Sequence, residues 1–353
     1  MTAKPFRLGF FTHANTASPP AEANEELIRL FVGAEELGYD IGFLAQHLLV
    51  RPELGSAPSP LVSFAPVAVH THRIGLGVAV VTLPLTEPLQ LAQDALTLDA
   101  IAGGRLQLGL GTGAANIDKY AAYGVDASDP GKLFDDHLGV LLDALSGRPL
   151  RGTDQRIHAD GTGLAQRLWR TPGSPESARR AARTGLGALF GTATLDAKTV
   201  QRPIIDAYLD EWRTVGPVEA PSEIAPLLTP RLGGIRNIYA GASRAGALDD
   251  LNRFLESSRK RIADVRGVSA DDLTLDDIIA GVNLKTGSAQ DAAEGLRADA
   301  ALLPEVDYII AVTGLLEAVE VGRGHRHTVD VALRGLERIA RDTAPLLGWT
   351  PAT

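Results

Sequence analysis

The stretch that most restricts this chain is Arg73 to Gly113, RIGLGVAVVTLPLTEPLQLAQDALTLDAIAGGRLQLGLGTG. Ile74 to Leu83 is uncharged and rich in valine and leucine, as a strand buried on both faces must be. Pro84 and Pro88 close that strand and open a helix, where a proline in the first turn loses no hydrogen bond. Leu91, Ala95 and Leu98 recur at helical spacing, and Gly103-Gly104 stops the helix. A second apolar run, Leu106 to Leu110, ends in the glycine-rich Gly109 to Gly113. Strand, helix and strand in that order make a parallel βαβ unit, whose ligands bind beyond the carboxyl ends of the strands. That places chemistry near Leu83 to Thr86 and Gly111 to Asn116.

The same alternation runs through the chain. Strands are expected at Phe6–Phe11, Asp40–Ala45, Leu168–Thr171, Leu186–Phe190, Ile235–Ala240 and Val306–Val312, besides the two above. Helices are expected at Glu22–Leu37, Pro60–Val69, Gly131–Leu145, Pro175–Arg183, Thr199–Thr214, Ala247–Ile262 and Thr328–Leu347. Ile278 to Thr286 and the helix after Ser288 form an extra segment, an insertion in the C-terminal half. Val215 to Gly234, rich in Pro and Gly, reads as a long irregular excursion. Eight strands alternating with helices and no long linker predict one α/β domain over residues 1–353, a closed (β/α)8 TIM barrel, with a Rossmann-type sheet as the competitor.

Composition narrows the function. Lys and Arg number 34 against 43 Asp and Glu, a formal charge of −9, with no basic stripe, which argues against nucleic acid as a partner. There is no cysteine, so disulfides, thiolate metal sites and cysteine nucleophiles are excluded. The opening MTAKPFRLGFF is too short for a signal peptide and no apolar run reaches the ~18 residues of a membrane span, so a cytoplasmic protein is expected.

Several residues have the right chemistry in the right place. His47 directly follows the second strand, at the catalytic face of a barrel, where an imidazole can hold a proton or steady an anion. Ser174 is a good N-cap, Pro175 suits the first helical position, and the amides of Glu176 and Ser177 with the two serine hydroxyls could hold a phosphate. Ordinary helix starts look the same, as Ser288 to Asp291 does, and the Glu176 carboxylate must turn away from any phosphate. Gly109 to Gly113 has the look of a dinucleotide fingerprint, but Asn116 to Gly124 beyond it does not read as a long helix. The glycines read better as a close approach of backbone to a flat ligand. His13 follows the first strand and could line the mouth, and His158 falls in an irregular loop. The pairs His70/His72 and His325/His327 have no nearby acidic set and do not read as metal ligands.

Taken together, ELGYDIGFLAQH (Glu36–His47), RIGLG (from Arg73), LPLTEP (Leu83–Pro88), LDAIAGGR (Leu98–Arg105) and LGLGTG (Leu108–Gly113) resemble the bacterial luciferase-like flavin monooxygenases, across most of residues 5 to 200. GLAQRLW (Gly163–Trp169) and QRPIIDAY (Gln201–Tyr208) are similar to a subgroup of FMN-dependent members, and the C-terminal part agrees through Gly287–Asp291 and Ala344–Trp349. The resemblance implies a (β/α)8 barrel with an insertion, a homodimer, and reduced FMN delivered by a separate NAD(P)H:flavin reductase. It implies that the flavin reacts with O2 to a C4a-hydroperoxide that oxygenates an organic substrate such as an aldehyde. By the same resemblance His47 is the catalytic histidine, Ser174 and Ser177 (with Glu176 between them) hold the FMN phosphate, and Gly111 and Thr112 lie against the flavin. A non-proline cis peptide is implied near Gly77 to Val80, bringing Val78 and Ala79 under the ring.

The departures are specific. Gln46-His47-Leu48 stands where many relatives have Glu-His-His, and Thr112 stands where luciferase has a phosphate-gripping arginine, for which Arg170 is the available substitute. Light emission is therefore not implied. Two alternatives stay open: an oxidoreductase using the deazaflavin F420 for hydride transfer without oxygen, and a non-catalytic flavin-binding paralogue. The cofactor bound, and whether O2 is consumed, separate them.

Overall fold

The computed structural model describes residues 5–14, 19–49, 57–190, 196–313 and 328–352. Its strands are β1 (Arg7–Thr12), β2 (Ile41–Leu44), β3 (Gly75–Thr82), β4 (Leu106–Gly111), β5 (Leu168–Arg170), β6 (Gly187–Phe190), β7 (Leu232–Ala240), β8 (Leu284–Gly287) and β9 (Tyr308–Val312). Every pairing is parallel. Strands β1 to β7 pair in sequence, β7 also pairs β9, and β9 returns to β1, so eight strands close a barrel and β8 stays outside it. This is the expected (β/α)8 barrel.

Helices α1 (Pro20–Glu36), α2 (Pro60–His70), α3 (Pro88–Ile101), α4 (Pro130–Leu145), a single turn α5 (Thr162–Ala165), α6 (Pro175–Arg183) and α7 (Arg202–Thr214) fill the connections up to β7. Outward-facing side chains such as Leu76, Val78, Leu108 and Leu110 join Phe64, Leu91 and Phe134 of these helices in one buried core. The inner face holds a separate cluster around Ile41, Phe43, Trp169, Leu189, Tyr308 and Ile310. The large rings need small neighbours on adjoining strands. A Cβ on Gly77 would strike the Phe43 ring, and one on Gly187 would lie 2.6 Å from the Trp169 ring. Trp169 donates its indole N–H to Gln107 Oε1 at 2.7 Å, so the inner face carries no orphaned indole.

The insertion is located between β7 and β9. The long strand β7 pairs β9 through Gly233–Arg236, then pairs β8 through Asn237–Ala240. Helices α8 (Arg244–Asp250), α9 (Asn252–Arg266) and α10 (Leu275–Gly281) precede β8, and α11 (Ala289–Arg297) follows it. Leu251, Leu255, Ile262, Ile278 and Leu284 give this lobe its own small core. Beneath it Arg236 makes a two-pronged, fully buried pair with Asp299, which Lys285 joins at 2.8 Å. Helix α12 (Val329–Arg338) then packs against α1.

The expected excursion is shorter than its glycine content suggested. Leu232 to Gly234 belong to β7, because Gly233 and Gly234 sit where Leu189 and Leu302 leave no room for a side chain. Residues 215–231 remain irregular apart from one tight turn, Ala225–Leu227.

Candidate active site

Because all strands are parallel, the segments after β1, β2, β3, β4 and β5 share one end of the barrel. His47 and the Ser174–Ser177 turn are therefore on the same face. His47 follows β2, and its amide donates to the Ala57 carbonyl at 3.0 Å. Its ring meets a second imidazole: His13 Nδ1 and His47 Nε2 are 3.0 Å apart. Phe11 packs against His13 edge to face, with ring centroids 4.8 Å apart. Burial favours the neutral form of both rings. It lowers His13 to about 4, with His47 adding to the effect, and it lowers His47, with the Lys119 ammonium as the second cause.

The floor beside this pair is the break in β3. The Ala79–Val80 peptide is cis, and the β3–β4 register slips between Val78 and Val81. This falls within the span expected from the sequence. Ala79 borders the inner cluster, whereas the Val78 side chain is fully buried in the outer core, so only its backbone can face the mouth. Gly111 ends β4 next to it; an added Cβ would lie 2.6 Å from Val80 Cγ2. Thr112 is half-buried, and its carbonyl accepts from the buried Tyr120 hydroxyl at 2.5 Å. Gln46, in place of a carboxylate, accepts the Thr82 amide at 2.9 Å, and Asn116 donates to the Thr82 hydroxyl at 3.1 Å. These bonds tie the ends of β2, β3 and β4 into one rim.

At β5 the structure separates two expectations. Ser174 caps α6, its Oγ accepting the Ser177 amide at 3.2 Å, while the Glu176 amide stays at the open end of the helix. The exposed Glu176 carboxylate leans toward Arg179, 3.9 Å away, leaving the turn free of its charge. Arg170 does not join this turn. Alternation along β5 sends Trp169 inward and Arg170 outward, where its guanidinium lies 4.3 Å from the Phe134 ring centroid and 3.4 Å from Asp135. The substitute for an arginine at position 112 is therefore misplaced by one residue of strand parity.

Sequence reasoning passed over Lys119 and Tyr120, which lie on a ten-residue 3₁₀ helix, Ala114–Tyr123, after the glycine loop. Gly113 and Gly124, both at positive φ, bracket that helix and were the available signal. His70 bonds the Pro66 carbonyl on the exposed end of α2, and His158 is exposed far along the chain. His325 and His327 lie outside the described residues. Among the described residues no group of acidic or imidazole side chains could hold a metal, and no helix is long and apolar enough to cross a membrane.

A closed, parallel eight-stranded barrel with an imidazole pair at its carboxyl face defines a (β/α)8-barrel protein. The chain belongs to the luciferase-like monooxygenase family, whose model matches residues 6–304. A 4-hydroxyprotoasukamycin monooxygenase of Streptomyces nodosus subsp. asukaensis is 27% identical over 224 residues, 62% of this chain and 59% of that one, so the chain spans somewhat over half of that relative. In fold the chain is similar to the oxygenating constituent of 3,6-diketocamphane monooxygenase from Pseudomonas putida, solved with FMN (TM-score 0.71, 15% identity, 96% of this chain and 98% of that one). It is also similar to the coenzyme F420-dependent tetrahydromethanopterin reductase of Methanopyrus kandleri (TM-score 0.65, 13% identity, 98% and 99%). The family thus has both flavin monooxygenase and F420-dependent relatives.

Proposed function

We propose that this protein is a flavin-dependent monooxygenase that uses reduced FMN and O2 to oxygenate a small organic substrate such as an aldehyde. The observation that carries the reading is the shared face of the His13–His47 pair and the Ser174–Ser177 turn, with the backbone of Ala79–Val80 and Gly111 between them in the barrel order.

The residues fit the group. The α6 N-terminus offers the Ser174 and Ser177 hydroxyls and the Glu176 amide to a phosphate, with the helix dipole adding positive potential. Ala79 carries only a methyl group toward the inner face, and Gly111 leaves room for the Val80 side chain beside it. Reduced flavin, when bound, supplies the electrons that activate O2. The chain supplies the rest. Phe11, Phe43 and Trp169 keep the barrel interior dry beneath the mouth. The Gln46–Thr82–Asn116 bonds hold the rim in place. His47, neutral at pH 7, accepts or donates one proton at the reacting edge.

In this reading a separate NAD(P)H:flavin reductase delivers the reduced flavin, and the working form is a homodimer. The test is calorimetric titration of the full chain with FMN, with FMNH2 under anaerobic conditions, and with F420. Binding of the flavins, with substrate consumed only when O2 is admitted, supports the proposal. Binding of F420 alone, with turnover that survives without O2, replaces it by a hydride-transfer reading. Flavin binding with no oxygen consumed under any reductant makes the chain a non-catalytic flavin protein.

A further inference from the structure

The contact between His13 and His47 couples the tautomers of the two rings. The bond joins Nδ1 of one ring to Nε2 of the other. If His13 donates from Nδ1, His47 accepts at Nε2 and must carry its own proton on Nδ1. If His47 donates from Nε2, His13 accepts at Nδ1 and must carry its proton on Nε2. A neutral pair is therefore either Nδ1–H on both rings or Nε2–H on both rings; a mixed pair breaks the bond or forces two hydrogens together.

We propose that His13 and His47 form a two-ring proton wire across the mouth, whose outer ends are Nε2 of His13 and Nδ1 of His47. When an N–H bond forms at Nε2 of His13, its Nδ1–H bond breaks as the His47 Nε2–H bond forms, and the Nδ1–H bond of His47 breaks. One proton enters, one leaves, no electrons move, and both rings change tautomer together. The surroundings suit such a wire. Phe11 offers His13 no competing acceptor; His13 directly follows β1, and the segment that carries His47 beyond β2 is pinned by its amide bond to the Ala57 carbonyl. The Lys119 ammonium, paired with Asp118 at 3.1 Å, acts on His47 and disfavours a positive charge on the pair. His13 is then a positioning and relay residue that acts through His47. Its bearing on turnover rests on the flavin reading above, but its existence as a wire does not.

The test uses the full chain with ¹⁵N-labelled histidine and no flavin, observed by long-range proton–nitrogen correlation NMR at neutral pH. The wire predicts the same tautomer, or the same tautomer ratio, on both rings, and a changed His47 ratio in His13→Ala. Opposite tautomers, or a His47 spectrum indifferent to His13→Ala, overturns it. His13→Gln supplies a second arm, since an amide fills the space and keeps one hydrogen bond but cannot pass a proton through. The wire predicts kcat lower by about a hundredfold, with KM and FMN affinity within about twofold. Recovery of wild-type kcat by glutamine reduces His13 to a shape-filling role and overturns the relay. If the unaltered protein binds no flavin, the flavin reading fails while the tautomer measurement still decides the wire.

Discussion

His13 should make this protein acid-sensitive over a defined window. Burial lowers its proton affinity from the ordinary value of 6.5 to about 4 in the folded chain. The unfolded chain therefore binds the proton more tightly, and between about pH 6.5 and pH 4 unfolding takes up a proton that the native ring refuses. Stability is full above pH 6.5 and falls as the pH drops through the window. A shift from 6.5 to about 4, at ~1.4 kcal/mol per unit, gives an upper bound of ~3.5 kcal/mol; the ring's partial exposure trims this toward ~2 kcal/mol. Urea unfolding of the wild type and of His13→Gln at intervals from pH 4.5 to 7.5 isolates the contribution, since glutamine cannot titrate. The wild type should lose ~2 kcal/mol more than the variant across that range. The lowered affinity of His47, caused by burial and then by Lys119, acts in the same direction in both proteins. Parallel curves for the two proteins would refute the burial argument.

Other substitutions test neighbouring parts of the molecule. Gly109→Ala drives a Cβ against the Val78 carbonyl, which as backbone cannot rotate away, and should cost ~3 kcal/mol in urea unfolding; Gly103→Ala, at φ +63° with open space around it, should cost only ~1 kcal/mol. Ser174→Ala removes the cap of α6, which should lower stability by ~1 kcal/mol and weaken FMN binding by calorimetry, whereas Ser177→Ala, which caps nothing, should weaken FMN alone. Arg170→Met should leave FMN affinity within about twofold while lowering the unfolding midpoint, because the guanidinium is packed between Phe134 and Asp135 behind the wall.

The parts of this structure that were legible in the sequence are those set by periodicity and turn chemistry. The Pro88–Ile101 helix, the two buried strands flanking it and the Pro175–Arg183 helix need only local rules, and they fall where those rules put them. Strand parity across β5 is harder. Leu168, Trp169 and Arg170 are all buried, so apolar pattern alone does not say which faces in, and Arg170 reads as available to the mouth when it is turned away from it. Gly233 and Gly234 mislead in the opposite way, since glycines that accommodate Leu189 and Leu302 look like a loop. The His13–His47 contact joins the segments that follow β1 and β2, 34 positions apart in the chain. Position after a strand nominates each histidine for the mouth, but only the closed barrel, pairing β1 with β2 in register, brings them within a hydrogen bond.

The flavin reading meets its most direct test in a crystal structure of the full chain soaked with FMN. It predicts phosphate density on the Ser174–Ser177 turn and the ring across the Ala79–Val80 peptide, with its reactive edge at His47. A phosphate bound elsewhere, or a ring out of reach of that imidazole, would contradict it.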